Sequence, residues 1–446
     1  MTTVVLFRDD LRVEDHPALH EAASHGEPVV CLYVLDEESE GVRPLGGAAK
    51  WWLHHSLTSL AADLSDLGVP LTLRRGPAGD VVPDVVRETG AERLLWNRRY
   101  GGPERAVDAG LKEWAGDNGV AAHSYAGSIM FEPWTVTTQN GDPYRVFTPF
   151  WRACTSGPPP REPYPAPSSV LPADPAPASD TLADWGLLPT HPDWSGGLAR
   201  TWTVGERAAH ERLDEFLDER LPRYAEDRDL PAKPATSRLS PHLRWGEISP
   251  YTVWHTALHR AENPGKFLTE LGWREFSTYN LYIHPDMATR NINPKFDAFP
   301  WPPLDEDVLA AWHKGRTGIP LVDAGMHELW ETGTMQNRVR MVTASLLSKN
   351  LLIDWRLGEQ WFWDTLVDAD PASNPHNWQW VAGSGTDAAP YFRIFNAETQ
   401  RKKFDPDFKY VDRWNGRQEG MEPIVDLKES RAHALELFKS LASRPQ

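Results

Sequence analysis

Between Pro158 and Pro177 nine of twenty residues are proline. No helix or interior strand can cross such a stretch, because each proline fixes φ and lacks a backbone N–H. The tract has neither a helical nor a strand period, so it reads as an extended, semi-rigid connector with separate folding units on either side. This divides the chain into residues 1–126, a proline-rich interdomain linker over 127–201, and residues 202–446. With 446 residues in all, each flanking unit is long enough to bury its own core.

Ahead of the tract, apolar strand-like runs at 4–7, 28–35, 70–73 and 93–96 alternate with helix-like stretches at 48–67 and 104–117. That rhythm predicts an α/β unit, a parallel Rossmann-like sheet covered by helices, ending near Tyr125. No GxGxxG or GxxxxGK[ST] follows any of these runs, which disfavours the dinucleotide and nucleoside-triphosphate versions of the fold. After about Trp202 the pattern changes to long amphipathic runs separated by Pro and Gly, and a mostly α-helical unit is expected.

Composition excludes several classes. No apolar run approaches the roughly 20 residues of a membrane span, and the start, MTTVVLFRDDLR, lacks the basic head and apolar middle of a secretory signal. A soluble, cytoplasmic protein is expected. Cys31 and Cys154 are the only cysteines, too few for a disulfide framework or a cysteine-rich metal site. The formal charge of −17 argues against indiscriminate adhesion to nucleic acid, although a local basic groove can sit on an acidic protein.

The stretch from Asp368 to Gln400, DADPASNPHNWQWVAGSGTDAAPYFRIFNAETQ, sets Trp378 and Trp380 among acids, glycines and amides. It holds no nucleophile with its base, no His or Cys cluster and no phosphate loop, so hydrolysis and phosphoryl transfer find little support there. By composition alone it is an aromatic core with a polar turn. In PATSRLSPHLRWGEISP, both Ser240-Pro241 and Ser249-Pro250 suit an N-cap and first helical position. Helix starts also bind phosphate, and Thr236, Ser237 and Ser240 would add hydroxyls. ELGWREFS places Glu270, Trp273, Arg274 and Ser277 on one helix face, where the plainest reading is a Glu270 to Arg274 ion pair beside a core tryptophan. MQNRVRM spaces Asn337, Arg340 and Met341 at steps of three and four. Arg393, Arg401, Lys402 and Lys403 supply cations near the aromatic segment, by themselves an ordinary solvated face.

These segments, and the wording NWQW and GTDAAPYFRIFN above all, closely resemble the flavin-contacting signature of the DNA photolyase and cryptochrome family. The resemblance runs, with gaps, from Leu6 to about Trp414. It implies an antenna-type first unit and a FAD-binding second unit. Carried over position by position, it implies FAD contacts from Tyr224, Thr236, Ser237, Arg238, Leu239, Ser240, Phe267, Arg274, Asn337, Arg340, Asp368, Ala369, Asp370 and Asn374, with Arg340 pairing Asp368. DNA contacts are implied for Arg228, Glu270, Trp273, Ser277, Asn337, Arg338, Arg393 and Gln400. Glu270, Trp273, Asn337, Met341 and Trp380 would line the cavity that receives the lesion. Trp378, Trp355 and Trp301, in that order, match the family's electron-transfer chain from flavin to surface, Trp301 standing one residue out of register.

The activity implied is light-driven repair of cyclobutane pyrimidine dimers in UV-damaged DNA, by electron transfer from fully reduced FAD, with the dimer leaving the duplex first. A monomer without a metal is expected. Asn374 and Trp380 follow the wording of photolyases rather than of plant cryptochromes; the alternative is a blue-light receptor that uses the same flavin without repair. Two departures stand out: Thr334 and Gln336 give TGTMQNR where many relatives have TGWMHNR. For a second, light-harvesting chromophore, Gly101 in WNRRYGG and the segment AAKWWLHHSL point to different subclasses. Methenyltetrahydrofolate, an 8-hydroxy-5-deazaflavin and no chromophore all stay open.

Overall fold

The computed structural model describes residues 1–415 and 421–442, so the last residues of the 202–446 span lie outside the described part. Five strands, β1 (Thr2–Phe7), β2 (Val29–Leu35), β3 (Leu71–Arg75), β4 (Ala91–Asn97) and β5 (Ala121–Tyr125), form one parallel sheet in the order β3-β2-β1-β4-β5. β1 and β2 are apolar almost throughout because helices cover both faces of the sheet. Successive residues alternate between the faces: Val5 and Phe7 join a core with Trp52 and Leu57, while Val4 and Leu6 join one with Val82 and Trp96. The expected helices are present as Gly47–Asp66 and Gly102–Asp117. Two further helices, Pro17–Ser24 and Ala78–Thr89, were not foreseen, the second because Pro83 interrupts its pattern.

The acid and arginine run after β1 is buried rather than solvated, and it joins the two halves of the chain. Arg12 donates to the carbonyls of Asp15, Gly127 and Gly246 at 2.8–3.1 Å. Arg244 in turn reaches Asp9 at 2.6 Å. Gly246 has φ +66°, and a Cβ there would sit 2.2 Å from the Asp9 carbonyl, so glycine is required both by the backbone and by the approach. Strand order reverses between β1 and β4, and a cleft lined by Arg8, Asp9, Asn97, Arg99 and Arg244 opens at their carboxyl ends, the usual ligand position in such sheets.

The proline-rich tract has no regular structure, yet it is tied down. Val29 of β2 exchanges backbone bonds with it (Val29 N to Leu171 O 2.8 Å, Ala173 N to Val29 O 3.1 Å), and Val170 is buried against the end of the Gly47–Asp66 helix. Before the tract, the helix Phe147–Ser156 packs on the long helix Gly265–Ile283 of the second half. No strand follows β5 among the described residues.

The two Ser-Pro steps behave differently. Ser249 caps its helix as expected, accepting from Tyr251 N at 3.0 Å. Ser240 does not: the helix Ser240–Trp245 already includes it, Leu239 occupies the cap position, and the Ser240 side chain makes no capping bond. Just before the cap, Arg238 adopts a left-handed backbone at φ 54°.

Candidate functional site

Arg238 sits with Thr236 and Ser237 in the loop that enters the Ser240–Trp245 helix. Its guanidinium lies over the Trp202 ring at 4.3 Å. Burial first, and then repulsion from Arg212, Arg220 and Arg413 against the pull of Glu328, lowers its pKa to about 10. A group of arginines held together against this cost fits a doubly charged diphosphate, which would restore the lost stabilisation. Tyr224, twelve residues upstream of Thr236, is buried edge-on against Phe216 and Phe267, so Phe267 supports Tyr224.

Arg340 meets Asp368 through two bonds of 3.0 and 3.1 Å, as the resemblance implies. The Thr334 hydroxyl accepts from the same guanidinium at 3.2 Å, so this departure from the family wording adds a polar partner to the pair. Ala369 is buried, its carbonyl accepting from Arg244 at 2.8 Å. Asp370 accepts from Ala372 N and Ser373 N at 2.9 and 2.6 Å, fixing the start of the helix Ser373–Ala382. One turn on, Asn374 is held by an acid that sequence reasoning missed. Its amide nitrogen donates to the Glu359 carbonyl at 3.0 Å and to Glu359 Oε1 at 2.8 Å. Glu359 is buried and bound in bidentate fashion by Arg43, from the first half of the chain, at 2.7 and 2.9 Å. Both amide hydrogens of Asn374 are therefore spent. Only Oδ1, an acceptor, is left to face a cofactor.

A second group of side chains gathers around the loop after Tyr224. Arg228 pairs with Glu270, which Lys266 also approaches at 3.0 Å. The Glu270 to Arg274 pair of the plain reading is absent: Arg274 turns away to donate to the carbonyls of Ser128 and Leu243 at 2.7 and 3.3 Å, placing it beside the cleft at the sheet rather than on the Glu270 face. Asp229 binds Arg338 at 2.7 Å. Gln336, the second departure, caps the helix Asn337–Ser345 by accepting from Arg338 N at 2.6 Å, and its own amide donates to the Arg228 carbonyl at 2.6 Å. Asn337 and Arg338 both reach the Met341 sulfur, at 4.0 and 3.9 Å, and Arg338 lies over the Phe404 ring at 4.7 Å. Gln400 lies in the same helix as Phe404, with its Oε1 buried and without a partner. Arg393 is exposed. Arg401 binds the carbonyls of Asp405 and Pro406, and Lys402 pairs with Glu398 one turn away on the solvated face of its helix.

Trp273 carries Phe147 stacked on one face at 3.9 Å and 10°. Gly272 permits the neighbouring contact, since a Cβ there would lie 2.7 Å from the Trp151 ring. Ser277 faces inward and bonds to His376 Nδ1 at 2.9 Å, while Thr386 meets Nε2 at 3.2 Å. Burial lowers the His376 pKa to about 4.

Trp378 and Trp355 are fully buried and Trp301 partly so, all in one core cluster. They are not a stack of touching rings. Trp378 contacts Phe362 at 5.0 Å and Trp312 at 6.2 Å; Trp355 donates to Asn291 at 3.0 Å; Trp301 packs on Phe299 at 4.5 Å. Trp380 lies parallel to Phe395 at 6.3 Å. Glu359 and Phe147 are the main residues missed. An acid four positions after Trp355 in an aromatic helix was the available signal for the first; nothing marked Phe147, whose partner is 126 positions away in the sequence.

Residues 3–168 match the family described as DNA photolyase, and residues 267–421 the FAD binding domain of DNA photolyase. Over 424 residues the chain is 50% identical to a deoxyribodipyrimidine photo-lyase of Agrobacterium fabrum, covering 94% of this chain and 88% of that one. It is 36% identical to Cryptochrome-1 of Arabidopsis thaliana, covering 92% of this chain and 62% of that one. The crystal structure of a bacterial class III photolyase from Agrobacterium tumefaciens matches with a TM-score of 0.94 and 45% identity, over 99% of this chain and 98% of that one. A cryptochrome from Synechocystis sp. PCC6803 matches at 0.88 and 28%, over 98% and 99%.

Proposed function

The chain belongs to the DNA photolyase and cryptochrome family, and on that premise we propose that it repairs cyclobutane pyrimidine dimers in UV-damaged DNA, using light and reduced FAD. The observation that carries the reading is Asn374. With both hydrogens bound to Glu359 it offers a cofactor only an acceptor oxygen, which favours a ring nitrogen that bears hydrogen, as in the reduced flavin. When bound, reduced and excited by near-ultraviolet or blue light, FAD supplies the electron that lets the cyclobutane ring split and regains it afterwards.

The remaining work belongs to the chain. Arg238, with Thr236, Ser237, Leu239 and Ser240, would hold the diphosphate, and Tyr224 and the Arg340 to Asp368 pair would add further contacts to the cofactor. Glu270 exchanges part of its bond to Arg228 for the polar edge of an extruded pyrimidine, and Arg228 then turns to the phosphate backbone. Trp273, covered on one side by Phe147, offers its other side for stacking beside Trp380 and Met341. Arg338, Arg393 and Gln400 serve the DNA strand. Trp378, Trp355 and Trp301 carry electrons inward to regenerate the reduced cofactor, with Phe362 and Trp312 packed against Trp378. The protein acts as a cytoplasmic monomer in this reading, and no described helix is long and apolar enough to cross a membrane. The cleft at the sheet's carboxyl ends is the place for an antenna chromophore of either kind.

The test is repair of a defined thymine dimer in an oligonucleotide by purified protein carrying reduced FAD. The lesion should vanish under blue light and persist in the dark. A lesion that persists in the light while the flavin stays reduced overturns the reading in favour of the receptor alternative, which the 36% identity to Cryptochrome-1 supports.

A further inference from the structure

On the helix Pro250–Arg260, His255 and His259 are four residues apart and face the proline-rich tract at Glu162. The His255 Nε2 lies 3.1 Å from the Pro160 carbonyl oxygen and 3.0 Å from that of Arg161. A carbonyl can only accept, so Nε2 carries the hydrogen and Nδ1 presents a lone pair. Nδ1 faces Glu162 Oε1 at 3.3 Å, and a carboxylate oxygen is again only an acceptor. Two lone pairs aimed at each other over this distance require a cation between them, either a proton or a metal ion. Three features favour the metal. One ligand atom each from Glu162, His255 and His259 lies within 4.8 Å of the others. The Nδ1 to Oε1 separation equals the ligand spacing of about 3.3 Å that tetrahedral bonds of about 2.0–2.1 Å impose. His259 and Glu162 are exposed and free to close the remaining gap, while the Nε2–H bonds to backbone carbonyls hold the His255 ring in the orientation and tautomer a metal ligand needs.

We propose that Glu162, His255 and His259 bind one divalent transition-metal ion of the zinc type, fastening the proline-rich tract to the helical half of the protein. Two imidazoles and a carboxylate suit zinc, nickel or copper and not magnesium or calcium. The neighbouring cations are neutralised elsewhere: Arg161 by Asp15 at 2.5 Å and by stacking on Tyr251, and Arg260 by Asp214 and Asp218. A second three-residue group, Glu14, Glu206 and His210, is a poorer site, since both Glu206 oxygens already accept from Val13 N and Glu14 N at 2.7 and 2.8 Å.

The experiment is equilibrium dialysis of the flavin-loaded protein against buffered zinc, with parent, His259→Ala, Glu162→Gln and, as a control, His210→Ala. Parent and control should take up one zinc per chain and gain thermal stability with added zinc, because an ion that binds only the folded state stabilises it. His259→Ala and Glu162→Gln replace exposed side chains and should keep the flavin spectrum. Their zinc affinity should fall by more than the roughly 10–100-fold that loss of an outer-shell partner causes. Equal uptake by parent and His259→Ala overturns the proposal, and so does a parent that binds no zinc at micromolar free metal, which would leave a proton between His255 and Glu162.

Discussion

At the scale of single residues, the two most informative side chains are Asn374 and Glu270, and each is defined by what holds it. Replacing Asn374 with Asp sets a carboxyl group 2.8 Å from the Glu359 carboxylate. Two buried carboxylates at that distance cannot both ionise, so one takes up a proton and the hydrogen-bond direction toward the cofactor is scrambled. Asn374→Asp should therefore weaken the preference for reduced flavin and lower repair. Spectra under blue light with an external reductant will show it: the parent bleaches fully and the variant does not. Glu270 neutralises Arg228 in the absence of DNA. Glu270→Ala should keep the flavin, reduce dimer affinity by about 1–3 kcal/mol through an unpaired base edge, and tighten binding to undamaged DNA, since Arg228 is freed. Gel shifts on damaged and undamaged duplexes at one salt concentration measure both effects; an unchanged ratio would exclude Glu270 from the lesion site.

At the scale of elements, the helices Trp355–Thr365 and Ser373–Ala382 act as one unit because Gly358 lets the Trp378 ring lie directly on the other helix's backbone. A Cβ at Gly358 would come within 2.2 Å of Trp378 and 2.5 Å of Leu347. Gly358→Ala should cost about 1–3 kcal/mol by overpacking, measurable by urea denaturation. Trp378→Phe is gentler: one ring replaces another, so the fold and repair by pre-reduced protein should survive, while light-driven reduction of oxidised flavin should fail. Photoreduction at the parental rate would send the electrons by another route. That this half of the chain is mostly helical was legible from its pattern after Trp202, although the Asp368–Gln400 stretch by itself read as an aromatic core with a polar turn. That the two helices touch through a glycine was not, because neither residue type nor spacing records which side chain from elsewhere arrives at a given helix face.

At the scale of the whole molecule, buried titratable groups set how stability changes with pH. His376 is held neutral with a pKa of about 4, so its contribution is intact above about 6.5 and is lost as pH falls toward 4. Glu275 is the opposite case. Burial, outweighing the pull of Arg274 and two backbone N–H bonds, raises its pKa to about 7, so its favourable term is present below 4.5 and disappears as pH rises through 7. Glu275→Gln removes that term, and its stability relative to the parent should rise between pH 4.5 and pH 8 by on the order of 3 kcal/mol. Denaturation midpoints of parent and variant across this range test it; parallel curves would mean that Glu275 titrates normally. On the same scale, the bonds that join the halves include Arg43 to Glu359, Arg244 to Asp9 and Arg12 to the Gly246 carbonyl, so the division of the chain by its prolines is a division of pattern and not of rigidity.

The sequence by itself determined the architecture, because a parallel sheet buried on both faces demands continuous apolar runs and a proline tract forbids regular structure, and both signals are local. It also determined the Arg340 to Asp368 pair, through motif wording that records residue identity. Tertiary structure alone decided the direction of the Asn374 hydrogen bonds, the turning away of Arg274, and the placing of Phe147 on Trp273. Each of these depends on a partner brought in from another element, or on competition among nearby acceptors that only the packed backbone sets out. A hydrogen bond or ion pair goes to the nearest satisfiable group in space, and distance along the chain carries little information about that.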